Sequence, residues 1–252
     1  MKTSITKLTV VIVAIVAVTA CIRHFKSDSS TVEIARSIKP AIHNTTISEM
    51  IPLDINLPKP MLFTEPFSMR PVQNLQEDYR YDKPREPLLV PVGTKNIALG
   101  KPVFSSDNEP IIGRIEMVTD GRKEGVEGNY VELHPGLQSV TIDLLETYKI
   151  YAIVIWHNTR YAGPVYFDVV VQVADDPDFI TNLRTLFNND IDNSAGFGIG
   201  KDKHYRETWH GKLIEPGGSR ARYVRLYSNG SNANEYYLNH YVEVEVYGKP
   251  AK

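Results

Sequence analysis

Apolar and polar residues alternate strictly from Ser139 to Leu144, with Val140, Ile142 and Leu144 interleaved with Ser139, Thr141 and Asp143. A period of two sends one set of side chains to a core and the other to water, so this stretch predicts a strand with one wet face. Tyr151 to Trp156 is apolar at every position. It predicts a central strand covered on both sides, by the core on one and by a second layer or a loop on the other. Phe167 to Ala174 is rich in valine, Ala221 to Tyr227 is a further candidate, and Val242, Val244 and Val246 alternate with Glu243 and Glu245. Turns rich in Gly, Asn, Asp and Pro separate these runs, which predicts an antiparallel sandwich or jelly roll. A helical period occurs once: Phe179, Leu183 and Leu186 share a face just after Pro177, predicting a short helix over Asp178 to Leu186.

Glycine and proline divide the chain. All 16 glycines lie at Gly93 or later, whereas nine of the 16 prolines lie between Pro40 and Pro91. Proline without glycine favours extended backbone, so residues 21–92 are expected to form a semi-stiff stalk and residues 93–250 the β domain. Leu62, Phe63, Phe67, Met69, Leu88, Leu89 and Val90 would be wasted in a pure linker, and part of the stalk is expected to pack on the domain.

The first 21 residues read as a targeting segment. Lys2 and Lys7 flank a short cationic start, Leu8 to Val18 is apolar, and Val18-Thr19-Ala20 leads into Cys21. The apolar run is shorter than the ~20 residues that span a bilayer. The Val-Thr-Ala-Cys sequence resembles a bacterial lipobox, which implies removal of residues 1–20 and a lipid anchor on Cys21. An ordinary signal peptidase would also accept Ala20, so a plain cleaved signal peptide is the alternative. The lipobox resemblance implies a bacterial cell-envelope location, in the outer membrane or periplasm.

Charge and motifs narrow the function. A formal net charge of −2 and the lack of any basic run set aside nucleic acid as a partner. One cysteine excludes an internal disulfide framework. The chain contains neither H-E-x-x-H nor G-x-S-x-G, and no glycine-rich phosphate loop follows a strand. A non-catalytic binding role is therefore expected.

Five segments in order resemble a discoidin-type domain, as in coagulation factor V/VIII C domains and galactose-binding carbohydrate modules. They are Asn96 to Ser106, Thr119-Asp120-Gly121, Thr141 to Leu144, Ala221 to Leu226 and Glu243 to Gly248. The resemblance implies an all-β jelly-roll sandwich of the galactose-binding type, with a glycan or an envelope protein as partner. It also implies one structural calcium ion, with Asp120 and Glu243 as side-chain ligands; the alternative is an Asx turn at Asp120 and a wet-face Glu243. Two departures stand out: Tyr130 replaces the usual tryptophan after the Asp-Gly pair, and Asp176 to Lys212 is longer than its counterpart.

A sugar site needs an aromatic face and planar polar groups. Two loops offer both: His157, Asn158, Arg160 and Tyr161 in one, and Asn229, Asn232, Tyr236, Tyr237 and His240 in the other. Trp156 reads as core. Asp190, Asp192 and Asn193 form an oxygen-rich cluster that lacks the rest of a calcium-loop pattern and reads as a polar turn.

Overall fold

The computed structural model describes residues 49–60, 71–76, 84–126, 128–159, 163–232 and 236–251. The chain divides into two units, Met1–Ile47 and Ser48–Lys252. The first, with Cys21 and the expected signal segment, lies outside the described residues. The second contains eleven described strands: β1 (Met50–Pro52), β2 (Leu89–Pro91), β3 (Lys95–Asn96), β4 (Val103–Ser105), β5 (Val131–Leu133), β6 (Gln138–His157), β7 (Val170–Ala174), β8 (Arg184–Asn188), β9 (Lys212–Ile214), β10 (Ser219–Ser228) and β11 (Asn239–Pro250). A single 3-10 turn of helix, Ile115–Thr119, is the one described helical element.

Every pairing between these strands is antiparallel. The main sheet runs β3-β11-β6-β10-β7-β8, with β4 and β9 also on β6 and β5 on β11. The all-β antiparallel jelly-roll sandwich expected from the sequence is thus the observed fold. The long β6 makes it possible. Its first half pairs with β4 and β10, its second with β11 and β9. Between the halves Leu145 takes a left-handed conformation, φ +70°, and its N–H is held by Asp143 Oδ1 at 2.7 Å. One strand therefore turns a corner and serves both layers.

Val140, Ile142 and Leu144 point into the main core with Ile150, Ile153, Ile155, Val224, Val244 and Val246, as their alternation predicts. Thr141 and Asp143 face outward, but Arg225 and Arg222 lie over them. The Tyr151 to Trp156 stretch is covered on both sides as expected. Ala152, Val154 and Trp156 form a second cluster with Tyr130, Val242 and Tyr247, and Leu53, Ile55, Leu57 and Leu88 lie against it.

That cover corrects the expected boundary. Residues 49–60 and 84–92, read as stalk, carry the β1–β2 pair and the apolar side chains that seal the outer face of β6. The folded unit begins before Gly93 because Trp156 and its neighbours need this layer to leave water.

Two further expectations fail for local reasons. Asp178 to Leu186 is no helix: Phe179 and Asn182 have φ +58° and +54°, and Asp176 accepts the backbone N–H groups of Asp178, Ile180 and Thr181. That Asx-type arrangement outcompetes a helical turn, and Arg184–Asn188 continues as β8 on β7. Glu243 and Glu245 are not wet-face residues either. A bulge between Tyr241 and Glu243 puts Val242 on the opposite face from Val244 and Val246, and both carboxylates are buried.

Candidate functional site

The sequence-derived site residues part company in the structure. His157, the last residue of β6, is buried in the sandwich with Nδ1 2.5 Å from Glu207 Oε1 and its ring stacked on Tyr166 at 4.3 Å. Asn158 is buried beside it. Asn232 is buried too, with Oδ1 accepting the Val165 N–H at 2.8 Å. His240 Nε2 lies 2.8 Å from Glu132 Oε2 and its Nδ1 3.1 Å from the Tyr166 hydroxyl, so both ring nitrogens are hydrogen-bonded. These four side chains are engaged inside the protein, and the expectation that they meet ligand is corrected: strand β6 continues through His157, and Glu207, fifty residues on, closes over it. Arg160 and Tyr161 lie outside the described residues. Tyr236 is 69% exposed and does not line the described cleft. Tyr130 and Trp156 are both core.

Asn229 and Tyr237 are the two that do come together. They line a cleft of about 460 Å³ with Phe167, Asp168, Ile191, Asp192, Ser194, His204 and Pro71 to Gln73. The backbone builds it from two segments that meet just past β10 and just before β7. Asn229 N–H donates to the Phe167 carbonyl at 2.9 Å and Phe167 N–H to the Gly230 carbonyl at 3.0 Å. Asn239, at the start of β11, clamps the hairpin from below: Oδ1 accepts from Ser228 Oγ and the Gly230 N–H, while Nδ2 donates to the His134 and Gly136 carbonyls. Gly230 is required where it stands. Its φ is +76°, and a Cβ there would sit 2.3 Å from the Tyr237 carbonyl oxygen, so only glycine lets the Tyr237 backbone lie this close.

Within the cleft, Asn229 Nδ2 and Ser194 Oγ both donate to Asp168 Oδ2, at 2.8 and 2.9 Å. Phe167 and His204 meet edge to face, with ring centres 5.7 Å apart. Asp168, Phe167 and His204 had not been singled out from the sequence. The usable signal was a carboxylate set in the mouth of a valine run, where an apolar strand has no packing use for one.

The expected calcium ligands lie elsewhere. Glu243 is fully buried on β11; its Oε2 accepts the Gly121 N–H at 3.1 Å and its Oε1 has no hydrogen-bond partner. Desolvation pushes its pKa up to about 9, and the nearby charges of Glu245 and Asp120 add to the shift. Lys123, the adjacent cation, is committed to Glu245 Oε1 at 2.6 Å. Asp120 Oδ1 accepts the Arg122 N–H at 2.8 Å, the Asx turn foreseen as the alternative. A buried carboxylate with an orphan oxygen beside an Asp-Gly turn is a donor set that fits a hard cation.

No protein-family model matches the chain, and no curated protein matches it. Solved structures do. Chitosan-binding module 1 of a chitosanase/glucanase from Paenibacillus sp. IK-5 is 19% identical with a TM-score of 0.44, the match covering 61% of this chain and 99% of that one. A fucose-binding module from Streptococcus pneumoniae is 19% identical with a TM-score of 0.41, covering 61% and 97%. The CBM32 of AlyQ, in complex with 4,5-unsaturated mannuronic acid, is 15% identical with a TM-score of 0.40, covering 57% and 92%.

Proposed function

We propose that this chain is a non-catalytic binding module whose carbohydrate ligand enters the cleft between Asp168, Asn229 and Tyr237. The observation that carries the reading is the cleft itself. It sets aromatic side chains, Tyr237 and Phe167, beside an Asp168–Asn229 pair whose carboxylate accepts and whose amide both accepts and donates. Apolar ring faces and vicinal hydroxyls of a pyranose call for that combination. The discoidin-like motifs from Asn96 to Gly248 support the same class of ligand. Affinity electrophoresis against a panel of polysaccharides tests the proposal. Retardation by at least one glycan, lost on Asn229→Ala, is the expected result; hydrolysis of the glycan, or retention unaffected by Asn229→Ala, overturns it.

A second reading has an observation of its own. Ile180 and Ile199, both in the long Asp176 to Lys212 segment, are strongly exposed, as a protein-docking surface would be. Co-purification of one envelope partner through that segment, without glycan binding, would favour it.

The proposal includes a calcium ion and an anchor. Glu243, with Asp120 and carbonyls of its turn, would hold the ion, which would supply the positive charge that the buried carboxylate lacks. Cys21 would carry the lipid that fixes the module to the bacterial envelope. Labelling of the expressed chain with radioactive palmitate, abolished by Cys21→Ala, is the expected outcome.

A further inference from the structure

Beneath one wall of the cleft three aspartates converge from two places in the chain. One carboxylate oxygen from each of Asp168, Asp190 and Asp192 lies within 4.8 Å of the others. Asp190 is 0% exposed and Asp168 9% exposed. Among the described residues, none of the three makes an ion pair with Lys or Arg. Their hydrogen bonds are local and neutral. Asp190 accepts from the Ser194 and Ala195 N–H groups, Asp192 from the Ser194 N–H, and Asp168 from Ser194 Oγ and Asn229 Nδ2. Those donors orient the oxygens without removing the charge. Two of these carboxylates are poorly hydrated, and three this close repel one another unless a cation joins them.

A separate observation points to the cation. His204 is 4% exposed, lines the same cleft as Asp168 and Asp192, and its Nδ1 has no hydrogen-bond partner. Its electrostatic neighbours are Asp168 and Asp190. A buried imidazole nitrogen that no protein group satisfies is a candidate metal donor.

We propose that Asp168, Asp190 and Asp192, with His204 beside them, form a divalent-cation site distinct from the one at Glu243. The three carboxylates suit manganese or calcium, and an imidazole beside them favours manganese of the two, since calcium takes oxygen ligands. Asp190 and Asp192, read from the sequence as members of a polar turn, thus acquire their third carboxylate from Asp168 across the fold. The site stands whether or not the cleft takes a sugar, since neither the carboxylates nor His204 needs one to be in place.

The probe is manganese itself, added to the chelator-stripped full chain and followed by electron paramagnetic resonance of the free ion. The background is Glu243→Gln, which removes the other candidate. One bound manganese with a Kd on the order of 10⁻⁴ M, weakened at least tenfold by Asp192→Asn, is the expected result. Asp192 is exposed, and asparagine can still accept from Ser194, so this variant keeps the turn. Binding unchanged by both Asp192→Asn and Asp168→Asn, or no binding at ~1 mM manganese, overturns the proposal. A second reading avoids variants altogether. In the wild-type chain, manganese should broaden the NMR signals of the His204 and Tyr237 rings; broadening confined to the Gly121 turn overturns it.

Discussion

Two histidine-containing clusters differ in one respect that separates structure from function. In the interior, His157 and His240 each face a carboxylate, Glu207 and Glu132, and Tyr166 packs against both rings. In the cleft, His204 shares a lining with Asp168 and Asp192, which among the described residues pair with no Lys or Arg, and its Nδ1 has no hydrogen-bond partner. The residue types are the same. Imidazole and carboxylate met one to one make a rigid polar core, whereas an excess of acceptors open to a cleft makes a place for something to bind.

The contrast can be broken most forcefully from the interior. Glu207→Ala would leave His157 buried without its carboxylate and should cost about 3–5 kcal/mol of stability by denaturant unfolding, while any surviving folded protein keeps its glycan affinity. Gly230→Ala comes next. Its Cβ would strike the Tyr237 carbonyl at a position with φ +76°, and a loss of about 1–3 kcal/mol, with the aromatic wall displaced, should appear in both melting and binding experiments. Asn229→Ala should reverse the pattern, lowering affinity roughly tenfold, about 1.4 kcal/mol, with little change in melting temperature. The smallest effect belongs to neither cluster and serves as a control. Arg222 hydrogen bonds hold the Asp143 carboxyl below its usual pKa. A depressed folded-state pKa contributes stability above the unfolded value near ~3.9 and loses it as pH falls through the folded one. Arg222→Met should therefore flatten the acid limb of a stability–pH curve below about pH 4 and leave pH 7 binding untouched.

Much of the fold could be read from the chain because strands declare themselves locally. Val140, Ile142 and Leu144 needed only their own alternation, and the apolar run at Tyr151 to Trp156 announced a second cover before the cover was known. Where the reading failed, the deciding partner was remote. The fate of His157 rests on Glu207, that of Asn232 on the Val165 N–H, and the cation cluster on Asp168, 22 residues before Asp190. The supposed helix failed for a subtler reason. Phe179, Leu183 and Leu186 have helical spacing, but Asp176 captures the backbone donors first, and periodicity carries no record of that competition. At Glu243 a bulge breaks the alternation on its Val242 side, and the loop carrying Gly121 and Lys123 covers the carboxylate. The discoidin resemblance located the strands correctly, and of the loop residues expected to meet ligand Asn229 and Tyr237 line the cleft.

The apolar layer that the first strands lay over Ala152, Val154 and Trp156 also sets the smallest portable piece of this protein. A chain cut at Gly93, where composition changes so visibly, would carry every strand of the main sheet and still expose a greasy face to solvent. Such a fragment would be expected to self-associate in the test tube, and its stickiness would mimic a partner-binding activity.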